Sequence, residues 1–317
     1  MGNAGHRRVG AALVAVVGLF AAVLAPPPAG AQGEGEDLPV PYSFLTSAIL
    51  AGIAPYADPP GANDWDCEPT RRHPRPVVLV HGLLGNKATN WQTYAPLLKN
   101  QGYCVFALTY GVTPGTPLPL DQFGGLTRIQ DSARELKRFV RRVLRATGAR
   151  EVDLLGHSEG TIVPNHYVKF LGGAKHVRRY VSIAPLWHGT DPTLGLATYG
   201  AAFGFPVDEL PVCTSCGQFT PGSRFIERLR RGGVVVDGVE YTNIVTKYDQ
   251  LVVPYTSGIQ RGMTNHVLQD VCPSDFSEHF QVVASPVAAR IVLNALDPAR
   301  AEPVPCTLVL PYVGTPT

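Results

Sequence analysis

Residues 152–173 read VDLLGHSEGTIVPNHYVKFLGG, and the reading of this stretch decides the fold. Val152, Leu154 and Leu155 form a short apolar run of strand character, whereas Ile162, Val163, Tyr167, Val168 and Leu171 recur at helical spacing. Ser158 therefore stands where a strand turns sharply into a helix. A turn that tight forces its central residue into a strained backbone conformation. Side chains two positions to either side would collide, and Gly156 and Gly160 remove them. The resulting G-x-S-x-G pattern lifts the serine hydroxyl clear of a sheet. It becomes chemistry only if an acid, a base and N–H donors for an oxyanion follow at suitable places.

Outward from the elbow, RPVVLVHGLLGN (75–86) supplies a buried strand at Val77–Val80 that ends in His81-Gly82, and GYCVFALTYG (102–111) supplies a second around Cys104–Leu108. NWQTYAPLLKNQ (90–101) makes the crossover helix between them, and a long amphipathic helix from about Leu126 to Ala146 leads into the elbow strand. RRYVSIAPL (178–186) carries a strand around Tyr180–Ile183, VEYTNIVTKYDQLVVPYTSG (239–258) a strand followed by a loop, and PVAARIVLNALDP (286–298) the last helix. Alternation of this kind predicts an α/β fold, a mostly parallel sheet covered by helices on both faces. Between His188 and about Gly222 the text turns to Gly, Pro, Ala and Phe. Leu194, Leu196, Phe203 and Phe205 there follow no core pattern, and a cap over the site is expected.

The first 31 residues differ from the rest. Arg7 and Arg8 precede the apolar run AALVAVVGLFAAVLA, and Ala29 and Ala31 have the small-residue pattern of a signal-peptidase site. The run is shorter than the roughly 20 residues a membrane span needs. The expectation is a cleaved export signal over 1–31, a flexible mature N-terminus over 32–37, and one catalytic domain over 38–317 with no integral membrane segment. Removing Arg7 and Arg8 from the 27 basic residues leaves 25 against 25 acidic ones, and a balanced surface gives no reason to propose nucleic acid as partner. The basic stretch RELKRFVRRVLRATGAR (134–150) reads as the solvated face of the long helix, because Leu136, Phe139, Val140, Val143 and Leu144 share one side. Six cysteines, Cys67, Cys104, Cys213, Cys216, Cys272 and Cys306, point to disulfides in an exported chain. Fifteen connectivities are open, of which pairing in sequence order is chosen. CTSC (213–216) reads as a structural staple in a Gly/Pro-rich loop, with neither redox context nor further ligands for zinc.

A serine hydroxyl needs a base, oriented by an acid, to become a nucleophile at neutral pH. In this fold class the order is serine, acid, histidine. After Ser158 the acid directly beyond a strand is Asp249, at the sheet edge where open α/β sheets place their sites; Asp191, Asp208 and Asp237 stand in looser context. His266 and His279 alone follow Asp249. His279, in CPSDFSEHF (272–280) before the last helix, is the expected base. His266 is the fallback and reads as a surface imidazole in a loop. His157, His166, His176 and His188 read as structural or solvent-facing, and no histidine joins a metal-ligand cluster. Oxyanion donors are expected at the N–H of Glu159, after the nucleophile, and of Leu83, in the loop after the first strand. Glu159 is awkward there, since an ionised carboxylate would oppose a developing oxyanion. Its side chain must point away, pair with a cation, or be protonated in part.

The motifs HGLLGN, GHSEGTIVPNHYVKFLGG, TKYDQLVVPYTSG, NHVLQDVC and VLNALDP, in this order over residues 40–298, resemble those of secreted actinobacterial triacylglycerol lipases of the α/β-hydrolase superfamily. The resemblance implies an export signal, disulfides and no metal or organic cofactor. It carries the nucleophile, acid and base onto Ser158, Asp249 and His279, and the oxyanion donors onto Leu83 and Glu159. The substrate implied is a lipid or other ester, met at a lipid–water interface. Relatives often have glutamine where this chain has Glu159, while Pro164 is shared with them, so a local kink is expected and no loss of the elbow. An acyltransferase or a polyester hydrolase on the same triad, and a catalytically silent binding module, are the alternatives. Oligomeric state is not legible.

Overall fold

The computed structural model describes residues 36–191 and 213–315. The expected export signal, residues 32–35, and Leu194, Leu196, Phe203 and Phe205 of the expected cap lie outside the described residues.

Six strands, Val77–Val80 (β1), Val105–Leu108 (β2), Val152–His157 (β3), Val177–Ile183 (β4), Glu240–Val245 (β5) and Thr264–Val267 (β6), form one sheet in the order β2-β1-β3-β4-β5-β6. All five pairings are parallel. Every residue of β1, β2 and β3 is buried, as a sheet covered on both faces requires. Alternate side chains go to opposite layers: Val78, Val80, Phe106 and Leu154 to one, Val77, Leu79, Val105 and Leu155 to the other.

The longer helices among the described residues are Phe44–Gly52 (α1), Tyr94–Asn100 (α2), Ile129–Thr147 (α3), Glu159–Phe170 (α4), Arg224–Arg230 (α5) and Pro286–Leu296 (α6). α3 and α4 cover the first layer and α2 and α6 the second. On α3 the residues Ile129, Ala133, Leu136, Val140 and Val143 are buried at alternating steps of four and three, and Gly148 at φ 67° ends the helix. α3 begins at Ile129 and not Leu126, because the Leu126 carbonyl accepts from Thr214 N–H and the Gly125 and Leu126 N–H groups donate to Tyr110 and Gly111. These bonds hold 125–126 as a loop. The outer face of α3 is not wholly solvated: the Arg142 guanidinium lies 3.7 Å from the Trp65 ring centroid. α4 runs through Pro164 to Phe170. The described structure contains the disulfides Cys67–Cys104, Cys213–Cys216 and Cys272–Cys306. Among the described residues no helix is long and apolar enough to cross a membrane.

Candidate active site

Ser158 joins β3 to α4 with φ 55° and ψ −124°, a backbone state that costs a non-glycine residue about 1–3 kcal/mol. The surrounding packing imposes it. Ser158 N–H donates to the Ile183 carbonyl of β4 at 3.0 Å, and its own carbonyl accepts from Thr161 N–H at 2.9 Å. A Cβ on Gly160 would collide with the carbonyls of Val80 and His81, and one on Gly156 with the Gly160 carbonyl. The two glycines thus let the start of α4 sit against the end of β1.

Asp249 lies just beyond β5. Its Oδ1 accepts the N–H groups of Leu251 at 2.9 Å and Val252 at 2.7 Å, which fixes the carboxylate. Both carboxylate oxygens lie 2.9 Å from His279 Nδ1, and both side chains are buried. The His279 loop is tied down on every side. His279 N–H donates to Gln250 Oε1 at 3.1 Å. The Glu278 carboxylate accepts from Phe280, Gln281 and Tyr312 N–H. Asp275 accepts from Ser277 N–H and Ser285 Oγ, and Cys272–Cys306 staples the chain nearby. Asp191 lines the same cavity as Ser158 but is exposed, Asp237 is exposed in a turn, and Asp208 lies outside the described residues. His266 is on β6, paired with Ile244, and not in the loop its sequence context implied.

The loop after β1 brings Leu83 to the same place. Gly82 N–H donates to Asn90 Oδ1 at 3.2 Å and Leu84 N–H to the Gly124 carbonyl at 2.9 Å. Leu83 N–H between them, like Glu159 N–H at the first turn of α4, has no acceptor among the described residues. His81 shapes this loop: Nδ1–H donates to the Gly82 carbonyl at 2.7 Å, and Nε2 accepts from Tyr110 N–H at 3.2 Å. Burial pushes its pKa down to about 4, so the ring stays neutral in that tautomer. Leu83, Ser158, Glu159 and His279 border one cavity of about 480 Å³, whose walls otherwise are largely apolar and include Phe123, Leu186 and Phe219. At its rim are α1 and the residue that caps it, Ile49 and Ile53, which line the cavity and are 58% and 79% exposed.

The Glu159 side chain is 1% exposed, and neither carboxyl oxygen has a hydrogen-bond partner among the described residues. Among the described residues no cation pairs with it. Burial raises its pKa well above the ordinary carboxylate range and so favours the neutral acid over the carboxylate. Of the three ways out of the conflict noted in the sequence, desolvation favours protonation. Two further neighbours carry no role in the sequence analysis, where His157 reads as structural or solvent-facing and Asn90 is not weighed. His157 is buried beside the candidate base and Asn90 is buried beside His157, and only the position of His157, next to the nucleophile, offered a signal.

Residues 74–292 match the family described as Lipase (class 2). Among solved structures, the chain is similar to lipase B of Aspergillus fumigatus, at 21% identity and a TM-score of 0.58, over 89% of this chain and 64% of that one. The chain thus spans less than two thirds of that enzyme's length. It is also similar to the mature form of the Bacillus licheniformis lipase BlEst2, at 16% identity and a TM-score of 0.48, over 72% of this chain and 94% of that one. The first likeness shows an α/β-hydrolase fold, and the match over 74–292 shows more: the chain belongs to the class 2 lipase family.

Proposed function

We propose that the chain is an exported lipase that cleaves triacylglycerols and related lipid esters through a covalent acyl-enzyme on Ser158. His279 takes the Ser158 proton as the hydroxyl attacks the ester carbonyl, then delivers it to the leaving alcohol. Asp249 holds the imidazole with its proton on Nδ1 and stabilises the imidazolium that forms. Leu83 and Glu159 N–H receive the oxyanion, their orientation set in advance by the loop after β1 and by α4. Water, activated by the same imidazole, releases the fatty acid.

The observation that carries this reading is the cavity itself. A serine held at φ 55° shares it with a histidine hydrogen-bonded to a buried carboxylate and with two uncommitted N–H groups. Its apolar walls fit an acyl chain. The rim supports a lipid aggregate as the substrate's source: residues 44–57 carry no charge, and Ile49, Leu50, Ile53 and Tyr56 are each more than half exposed. Three disulfides support export to an oxidising compartment.

The test is hydrolysis of p-nitrophenyl esters from acetate to palmitate, and of emulsified triacylglycerol, by the protein and its Ser158→Ala variant. Turnover of long chains and emulsion that vanishes in the variant is expected. Turnover confined to short soluble esters would reduce the activity to that of an esterase, and none at all would overturn the reading.

A further inference from the structure

His157 precedes the candidate nucleophile in sequence, and its ring lies against the candidate base. Nε2 lies 3.0 Å from the backbone carbonyl of His279, across 122 residues of chain, and Nδ1 lies 3.1 Å from Asn90 Oδ1. The His157 and His279 rings are 4.9 Å apart, and both residues are buried. Both nitrogens of His157 thus face oxygen. Burial, reinforced by the neighbouring His279, pushes its pKa well below that of an ordinary histidine, so one proton serves two acceptors. Asn90 Oδ1 already accepts Gly82 N–H. The His279 carbonyl has no other donor among the described residues. A buried carbonyl without a partner is costly, so the proton belongs on Nε2.

We infer that His157 is a positioning residue: its Nε2–H clamps the His279 carbonyl and so sets the imidazole of the base against Ser158. The inference rests on the roles proposed for Ser158 and His279. Because His157 is bonded covalently to Ser158, the clamp references the base directly to the nucleophile. The other ties on this loop, Gln250, Glu278 and Asp275, reference it to the C-terminal half of the chain. A base displaced by a fraction of an ångström loses proton transfer far more than it loses substrate binding.

The variants are His157→Phe, which keeps a ring and removes the donor, and His157→Gln, whose amide N–H reaches about as far as Nε2; His157→Asn, which reaches only as far as Nδ1, is the control. With folding checked by circular dichroism and melting, kcat on p-nitrophenyl butyrate is expected to fall about 10- to 100-fold in His157→Phe and His157→Asn with KM nearly unchanged. His157→Gln is expected to recover most of it. The downfield proton resonance of His279 Nδ1–H is read in parallel, and is expected to broaden or shift in the Phe and Asn variants and to persist in Gln. A folded His157→Phe with kcat within twofold of wild type, or a Gln variant no better than Phe, would overturn the inference. If wild type shows no Ser158-dependent turnover, the proposed function falls, and the resonance alone decides whether His157 positions the His279 ring.

Discussion

Glu159→Gln isolates the least usual feature of the site. Glu159 is buried with no partner on either oxygen among the described residues, and its pKa is raised well above the ordinary range by desolvation. Unfolded, the same group titrates near pH ~4.3. Between that value and the folded one, the native chain holds a proton that the unfolded chain has released. Stability therefore falls as pH rises through this window, by about 1.4 kcal/mol per pH unit for one proton. The stabilisation is complete below the unfolded pKa and lost as pH rises through the folded one. Glutamine has the same shape and does not titrate. Whatever constant offset the amide brings, the difference in unfolding free energy between variant and wild type should climb at that slope from just above the ordinary carboxylate range. Urea unfolding of both proteins at pH 5, 6 and 7 measures it. A difference that stays flat over this range would mean that Glu159 ionises in the fold as freely as in the unfolded chain, and the account of its protonation would fail.

The same substitution has a kinetic consequence. A Cβ on Gly125 would lie 2.9 Å from Glu159 Oε2 and 3.1 Å from the Leu83 Cα, so the carboxyl is within about 6 Å of the Leu83 backbone. An oxyanion held by Leu83 N–H, a hydrogen bond further on, is then roughly 8 Å away. At an effective dielectric constant of about 20, two negative charges at that distance repel by about 2 kcal/mol, or about 30-fold in rate. Ionisation of Glu159 should therefore depress kcat on a soluble ester as pH rises. Glu159→Gln should lack that fall. Identical alkaline limbs in the two proteins would refute this step even if the stability slopes differ as expected.

Other substitutions probe the remaining parts. Asp249→Asn should keep the fold and lower kcat by about 10⁴-fold, since the amide can favour the wrong tautomer of His279; turnover within tenfold of wild type would remove Asp249 from the mechanism. Gly160→Ala should cost about 3 kcal/mol or more in unfolding free energy, because its Cβ meets the backbone carbonyls of Val80 and His81. Gly217→Ala, where a Cβ meets nothing within 4 Å, should change stability by less than about 0.5 kcal/mol. Leu50→Asp, on the exposed side of α1, should lower binding to phospholipid vesicles and hydrolysis of emulsified triacylglycerol about tenfold. Its rate on p-nitrophenyl acetate should change less than twofold, and equal losses on both substrates would argue against α1 as the lipid-facing rim.

What the sequence disclosed and what it hid follow from where each constraint is applied. The elbow was legible because its requirements are local: a strand, a serine and two glycines within five residues, each demanded by backbone sterics. The buried strands and the apolar stripe of α3 were legible for the same reason. β6 was not, because TNHV lies at the sheet edge, exposed or half-exposed, and carries no apolar pattern. α1 escaped because its large apolar residues Ile49 and Leu50 face outward while the small Ser47 and Ala48 face inward, so no core-facing apolar stripe marks it. The His279 loop shows the distinction most sharply. Its histidine could be selected by order along the chain, but what holds that histidine is distributed over Gln250, Asp275, Glu278 and His157. Each of these reads in sequence as an ordinary polar residue and acquires its purpose only when the strand ends converge. A nucleophile is placed by the torsion of its own backbone, so a short motif suffices to announce it. A base is placed by its neighbours, and the residue that ties base to nucleophile in this chain is hidden inside the motif that announces the nucleophile.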